Sequence, residues 1–386
     1  MKILLLSYGI IDFEGRLREQ IKIFKSIGDT TYVTRVHEIG HEKDHRHCPI
    51  TDSGYLGMLR FCIKTAALTI KNKRFDILFV NDRKSLIPSL FIYFFKKPKI
   101  IIQDVSELYL FKEVKGISGK FGCILEYFFF KRSNLLICAN KYRARIMKKI
   151  FSLRETPLVF ENIRCLEHND QELQSGINQN EAQPEDNKKI RVISTSGCSL
   201  SRLTDSLVLA FKELEEKYEL YLVGCLDGTD RKAIETLIKV NCLSNVHLLG
   251  KLDQNDLKRM IRKCHIGIVN YNSRDVNNRY CASGKIYEFL FEGLPVVTTE
   301  NLPLVHLVNK NKIGIADNSF YRGIEKVACN YSYFSENVFA FSSTISVLEN
   351  NQKLREDIMN AIKKSSHREN EGSYEKISSE EINDDN

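Results

Sequence analysis

Pro295-Val296-Val297-Thr298 reads as a buried strand entered from a turn at Gly293, which makes Lys285 to Glu292 a short helix and puts Ser283-Gly284 at its N-terminus. A helix N-terminus offers unpaired backbone N–H groups and a positive dipole end, which suit a phosphate, and Gly284 allows close approach. Lys285 adds a mobile positive charge. Glu288, one turn on along the same face, can accept hydrogen bonds from both hydroxyls of a ribose. The residues Ser283-Gly284-Lys285-Ile286-Tyr287-Glu288 therefore have the chemistry to hold a diphosphate and a ribose together. The plainer reading is an amphipathic helix with a capping serine and surface charges.

The elements that must carry such a site form two series. Apolar strand-like runs alternate with amphipathic helical stretches at Ile3 to Ser7, Gly15 to Ile27, Thr31 to Arg35, Tyr55 to Lys71, Ile77 to Asn81, Leu86 to Phe95 and Lys99 to Gln103. A second series has strands at Ile190 to Ser194, Leu220 to Val223, Val246 to Leu248, Ile266 to Val269 and Val296 to Thr298. Its helices are expected at Thr204 to Glu216, Arg231 to Lys239, Gln254 to Lys263 and Lys285 to Glu292. Alternation of this kind predicts α/β architecture with parallel sheets covered by helices. The expected domains are 1–165, Rossmann-like and acceptor-binding, and 190–365, Rossmann-like and donor-binding. A polar linker at 166–189 joins them, and a polar tail at 366–386 is expected to be partly disordered or to cross back to the first domain. At 386 residues the chain exceeds the size at which one core stops growing, which fits two domains.

The stretch from Asn245 to Thr299 resembles the retaining glycosyltransferase family 4 and its relatives. Val246-His247-Leu248-Leu249-Gly250-Lys251 is similar to the family's strand and turn that receive the nucleobase. Cys264-His265-Ile266-Gly267-Ile268-Val269 is similar to its next strand, and Ser283-Gly284-Lys285-Ile286-Tyr287-Glu288 to its Pro-(Ser/Asn)-Lys-x-x-Glu turn. The resemblance implies the GT-B fold, two Rossmann-like domains facing each other across a cleft. It also implies that Glu288 holds the ribose and that backbone at Gly250 and Lys251 meets the base. Ser283 stands where proline is usual, and Tyr280 where many members carry the first glutamate of a Glu-x7-Glu pair. In Ser194-Thr195-Ser196-Gly197-Cys198-Ser199-Leu200-Ser201-Arg202, Gly197 falls in the family's glycine-rich turn and Arg202 on the basic residue that ends it. A guanidinium there neutralises a departing diphosphate.

The resemblance extends over nearly the whole chain. Asp12-Phe13-Glu14-Gly15-Arg16 is similar to the Asp-x-x-(Arg/Gly) loop of one branch, which places Gly15 and Arg16 near the acceptor and the donor phosphate; the bland alternative is a helix start with its usual acidic residues. Phe79-Val80-Asn81-Asp82 and Gln103-Asp104-Val105-Ser106-Glu107-Leu108 resemble that branch's His-Asp and Asp-x-His-Glu-Leu strand ends, with Asn81 and Ser106 in place of the histidines. Asp104 and Glu107 are thereby expected to be catalytic, along with Arg202 and Lys285. The reaction implied is transfer of a sugar from a nucleoside-diphosphate sugar to a glycan or lipid-linked acceptor, with retained configuration. No cofactor and no metal enter it.

The charge of +8 is uneven. Residues 1–165 hold 30 Lys and Arg against 16 Asp and Glu, and residues 166–386 hold 27 against 33, so the halves carry +14 and −6. An anionic partner is expected for the first half alone. Phe91-Ile92-Tyr93-Phe94-Phe95-Lys96-Lys97 and Tyr127-Phe128-Phe129-Phe130-Lys131-Arg132 interleave aromatic and basic residues. They read either as core-facing helices with solvated ends or as attachment to an anionic membrane. Eleven cysteines without a Cys-x-x-Cys pair, and no recognisable signal peptide, predict a cytoplasmic protein, at most peripheral at the inner face of the membrane. The overlapping His-Glu-x-x-His matches in His37 to His45 include Gly40 and follow a strand, which predicts a solvated loop rather than a zinc site. Nothing resembles a nucleic-acid recognition element. Two other functions fit the pattern: a GT-B nucleotide-sugar epimerase, and a degenerate binding protein that lacks catalysis.

Overall fold

The computed structural model describes residues 1–37, 44–72, 74–166, 189–214 and 216–381, with side chains as far as residue 364. It divides into two compact units, residues 1–161 with 348–386, and residues 162–347.

The first unit runs β1 (Lys2–Ile10), α1 (Gly15–Ile27), β2 (Asp29–Arg35), β3 (His47–Ile50), α2 (Gly54–Lys71), β4 (Ile77–Asn81), α3 (Leu86–Lys96), β5 (Ile100–Val105), α4 (Ile117–Phe130), β6 (Leu135–Cys138), α5 (Lys141–Ile150) and β7 (Leu158–Val159). Its seven strands lie in the order β3-β2-β1-β4-β5-β6-β7, all parallel. Side chains alternate faces along a strand. Ile3 and Leu5 of β1 thus join Leu17, Ile21 and Phe24 of α1 on one side. Leu4 and Leu6 join Phe61 of α2, Ile92 of α3 and Phe129 of α4 on the other. Burial on both faces is why β1 reads as an unbroken apolar run.

The second unit contains β8 (Ile190–Ser194), a 3₁₀ turn (Leu200–Arg202), α6 (Thr204–Glu213), β9 (Tyr218–Val223), α7 (Thr229–Val240), β10 (Val246–Leu249), α8 (Gln254–Arg262), β11 (Ile266–Val269), α9 (Val276–Arg279), α10 (Lys285–Phe291), β12 (Val296–Thr298), α11 (Leu302–Asn311), β13 (Gly314–Ala316), α12 (Phe320–Cys329) and α13 (Tyr331–Ser342). Its six parallel strands are ordered β10-β9-β8-β11-β12-β13. In both sheets the strand order reverses beside the first strand, between β1 and β4 and between β8 and β11. Connections leave such a point in opposite directions and open a crevice beyond the strand ends, where α/β ligands bind.

Several boundaries differ from the sequence expectation. The first unit ends at Glu161 rather than at residue 165, because Ile163 and Leu166 pack into a core of the second unit and Asn162 Nδ2 donates to Ala282 O at 2.8 Å. The last helix, α14 (Val347–Glu381), belongs from Leu348 onward to the first unit rather than closing the donor domain at 365. Leu354, Ile358 and Ile362, spaced by four, fill the first unit's core beside Ile3 and Phe24. The helix continues through most of the expected tail. Just beyond the expected loop, His47–Ile50 forms an edge strand, and Pro49 is tolerated there because an edge needs no second partner. The rest of that histidine-rich stretch, 38–43, and the linker interior, 167–188, lie outside the described residues.

Among the described residues no helix is long and apolar enough to cross a membrane. All eleven cysteines are free.

Candidate functional site

The loop after β8 and the start of α10 converge in the second unit. Lys285 Nζ donates to Thr195 O at 2.6 Å and to Ser196 Oγ at 3.3 Å, so the ammonium expected to be mobile is tethered to the β8 loop. Burial pulls its pKa down to about 8; Glu288 opposes that shift, while Arg202 and Arg164 reinforce it. Glu288 is buried and pairs with Arg164, Nε to Oε1 2.6 Å. The Arg164 side chain also lies against the Cα of Gly284, in the space where a side chain at that position would stand. Arg202 ends the 3₁₀ turn with its guanidinium 4.0 Å above the Tyr271 ring, and its Nη1 donates to Asn278 Oδ1 at 3.3 Å. Asn270, at the end of β11, accepts from Ser196 Oγ at 3.0 Å and donates to Arg202 O, which binds the two loops together.

Lys285 thus lies within electrostatic range of one carboxylate, Glu288, and of two guanidinium groups, Arg202 and Arg164. Beside them, Ser283 Oγ and Thr195 Oγ1 are buried and have no hydrogen-bond partner. A buried hydroxyl left unpaired costs about 1–3 kcal/mol. Two such hydroxyls next to an excess of positive charge form a surface suited to phosphate oxygens.

α10 is held in place by a glycine that sequence reading passed over as part of a strand. A Cβ on Gly267 of β11 would stand 2.5 Å from Phe289 Cδ2, so only glycine lets the fully buried Phe289 ring seat against the sheet. At the loop, Gly197 has φ +62°, and a Cβ there would lie 2.5 Å from Gly224 O. Gly197 N bonds Val223 O at 3.0 Å, and Gly224 N bonds Gly250 O at 3.1 Å. Bare backbone therefore runs along the ends of β8, β9 and β10, with Gly250 and Lys251 at the edge strand. Tyr280 closes the short helix α9, half-buried.

The first unit collects most of the other expected residues into a separate network. Arg16 grips Asp104 with Nε at 2.8 Å and Nη2 at 2.6 Å, and lays its guanidinium 4.8 Å over Phe160. Gln20 Nε2 adds a 2.8 Å bond to Asp104, and Asn81 Nδ2 holds Gln20 Oε1 at 2.8 Å. Ser106 Oγ lies 3.1 Å from both Asn81 Oδ1 and Asp104 Oδ2, one of which takes its proton. Arg143 donates to Ser106 O. Gly15 is the buried first residue of α1, whose second residue is Arg16. Asp104 is buried, with both oxygens engaged; it positions Arg16, Gln20 and Ser106. Glu107 stands apart, exposed and bonded to the Tyr109 hydroxyl.

At the same strand ends, Asp82 follows β4 with φ +65° and accepts from Tyr8 N and Ser85 N, each at 2.9 Å. Its pKa is raised by burial. The carboxyl of Glu14 lies over Gly9, though the residue as a whole is exposed. Burial of that group, with help from Asp82, pushes its pKa up to about 7. The sequence places Glu14 in a loop or at a helix start and does not single out Arg164, Gln20, Arg143, Tyr271 or Asn270. Their signal is long-range; Arg164, for instance, meets Glu288 across more than a hundred residues of chain.

No protein-family model and no curated protein sequence matches this chain. Solved structures do. Sucrose-phosphate synthase from Thermosynechococcus elongatus superposes with a TM-score of 0.68 at 14% identity, over 97% of this chain and 100% of that one. Anabaena HepE, solved in complex with UDP and glucose, gives 0.68 at 17% identity over 93% and 100%. WaaG, a glycosyltransferase involved in lipopolysaccharide biosynthesis, gives 0.64 at 14% identity over 92% and 99%. The fold is GT-B. In this GT-B chain the second unit carries the cation cluster and the first carries the Arg16–Asp104 network. Among the described residues no group of three or more His, Cys, Asp and Glu is arranged to hold a metal ion.

Proposed function

We propose that the protein is a glycosyltransferase that takes a sugar from a nucleoside-diphosphate sugar and passes it, with retained configuration, to a glycan or lipid-linked acceptor. One observation carries the reading: at the second unit's switch point Lys285 lies within electrostatic range of Arg202 and of the Arg164–Glu288 pair, beside two unpaired buried hydroxyls. A nucleoside diphosphate supplies what that surface lacks, with phosphate oxygens for the cations and hydroxyls and ribose hydroxyls for Glu288. Binding of the ribose would draw Glu288 partly away from Arg164 and free that guanidinium for phosphate.

In the proposed reaction the bond from the anomeric carbon to the diphosphate oxygen breaks, and a bond to the acceptor oxygen forms on the same face. The acceptor proton passes to the leaving diphosphate. Side-chain cations stabilise the charge that develops there, each well-placed donor contributing about 3 kcal/mol. Arg202 and Lys285 are assigned that role, and no cofactor enters. The Arg16–Asp104 network shapes the acceptor side. HepE was solved with UDP and glucose, which makes UDP the first nucleotide to try. A lipid-linked acceptor implies peripheral contact with an anionic membrane, in keeping with the basic first half.

The test is calorimetric titration of nucleoside diphosphates, followed by turnover of the matching nucleotide sugars. Glu288→Ala should weaken nucleotide binding, and Arg202→Ala should mainly lower turnover. Wild-type behaviour of both variants would overturn the site. A sugar altered while still attached to its nucleotide, with no acceptor present, would favour an epimerase instead.

A further inference from the structure

Helices α2, α3 and α4 cover one face of the first unit's sheet, each contributing to the same core through Phe61, Ile92 and Phe129. A surface helix normally turns charged residues outward. These three also turn large apolar residues outward. On α2, Leu59 and Ile63 lie on the pole opposite Phe61, 56% and 57% exposed. Phe94 and Phe95 of α3 are 57% and 71% exposed, and Phe121 and Ile124 of α4 are 51% and 56% exposed. The helices neighbour one another in the order α2-α3-α4, so the exposed apolar residues form one layer rather than scattered points. Layers of this kind mark interaction surfaces.

Charge identifies the occupant. The only acidic residue on the three helices is Glu126, which is buried and paired with Arg83. Lys71, Lys97, Lys120, Lys131 and Arg132 are exposed on the helices or at their ends. We infer that the α2-α3-α4 layer is the surface by which this protein rests on an anionic lipid bilayer, with phenylalanine and isoleucine side chains among the acyl chains and the lysines at the headgroups. A second copy fits less well, because self-pairing would set one basic rim against another. The layer also begins beside the expected acceptor edge: Tyr8, at the end of β1, donates its hydroxyl hydrogen to Gly54 O at the start of α2, and Tyr55 next to it is 99% exposed. The inference gives the proposed membrane contact a location and stands independently of transferase activity.

The test is flotation with vesicles of phosphatidylcholine containing about 30 mol % phosphatidylglycerol, against phosphatidylcholine alone, at low salt and at about 0.5 M. Binding is expected to the anionic vesicles only and to weaken with salt. Phe94→Ser with Phe121→Ser should lower it by about tenfold or more, since burying one phenylalanine is worth at least that factor. Both side chains are exposed, so melting temperature and nucleotide binding should hold. The chain has no tryptophan, so Phe94→Trp should report insertion by a blue shift on anionic vesicles. Failure to float, binding unchanged in the double variant, or a dimer in solution that the double variant abolishes would each overturn the inference. Flotation without sugar transfer would sink the transferase reading alone.

Discussion

Replacing Gly267 by alanine tests how the donor helix is positioned. The added methyl would stand 2.5 Å from Phe289 Cδ2, 2.6 Å from Cγ and 3.1 Å from Cβ. Carbon atoms prefer about 3.5–4.0 Å, so about 1 Å of overlap must be relieved. Phe289 is fully buried and β11 is fixed between β8 and β12, which leaves the ring or α10 to move. Overpacking of this kind costs about 1–3 kcal/mol. If α10 moves, Lys285 and Glu288 move with it, so UDP affinity falls along with turnover, which a 1 Å displacement of such groups lowers on the order of a hundredfold. Urea unfolding and UDP titration of Gly267→Ala should show both losses. Adding Phe289→Leu should restore part of each, with a coupling of about 1–2 kcal/mol. A variant of wild-type stability and affinity, or strictly additive losses in the pair, would refute the argument.

Lys285, with its pKa drawn down to about 8 by burial, is charged below that pH and neutral above it; UDP affinity should therefore fall between pH 7 and 9, and Lys285→Arg should flatten that fall in a titration series. Glu14 has a folded pKa of about 7 against 4.5 when free; its raised value contributes stability below pH 4.5 that is lost as pH rises through 7. Glu14→Gln should remove that slope from urea midpoints measured across the window. Asp104→Asn removes the carboxylate that neutralises the Arg16 guanidinium, whose side chain is only 9% exposed; unfolding should become easier by about 3–5 kcal/mol, and an unchanged urea midpoint would mean the ion pair is dispensable.

The sheets were largely legible because their causes are local. The burial of Ile3, Leu4, Leu5 and Leu6 on both faces of the sheet is written in their unbroken apolar run, and Ile77–Asn81, Ile190–Ser194, Ile266–Val269 and Val296–Thr298 lie where the strand-like runs do. β3 was not legible, since a strand containing Pro49 survives only through its place at an edge. The stripe Leu354, Ile358, Ile362 announces a helix, yet nothing in it says which sheet it will cover. At the site, Lys285 and Glu288 stand out by spacing along one helix. Arg164 does not, because its partner is fixed only when Ile163 and Leu166 dock into the second unit's core. Asp104 was legible as a strand-end carboxylate, but its saturation by Arg16, Gln20 and Ser106 depends on three other elements.

The return of α14 to the first unit has a consequence during synthesis. Leu354, Ile358 and Ile362 complete a core whose other members lie before residue 162. The 186 residues of the second unit are made in between. At about 5–20 residues per second, that interval is roughly 10–40 s. During it, Ile3, Leu5, Leu17 and Phe24 lack the helix that will cover them, while the second unit, contiguous in sequence, can close as soon as its own chain has emerged. The first unit to be translated is therefore the last to be finished on the ribosome, and its unsealed apolar face is where a nascent-chain chaperone would be needed.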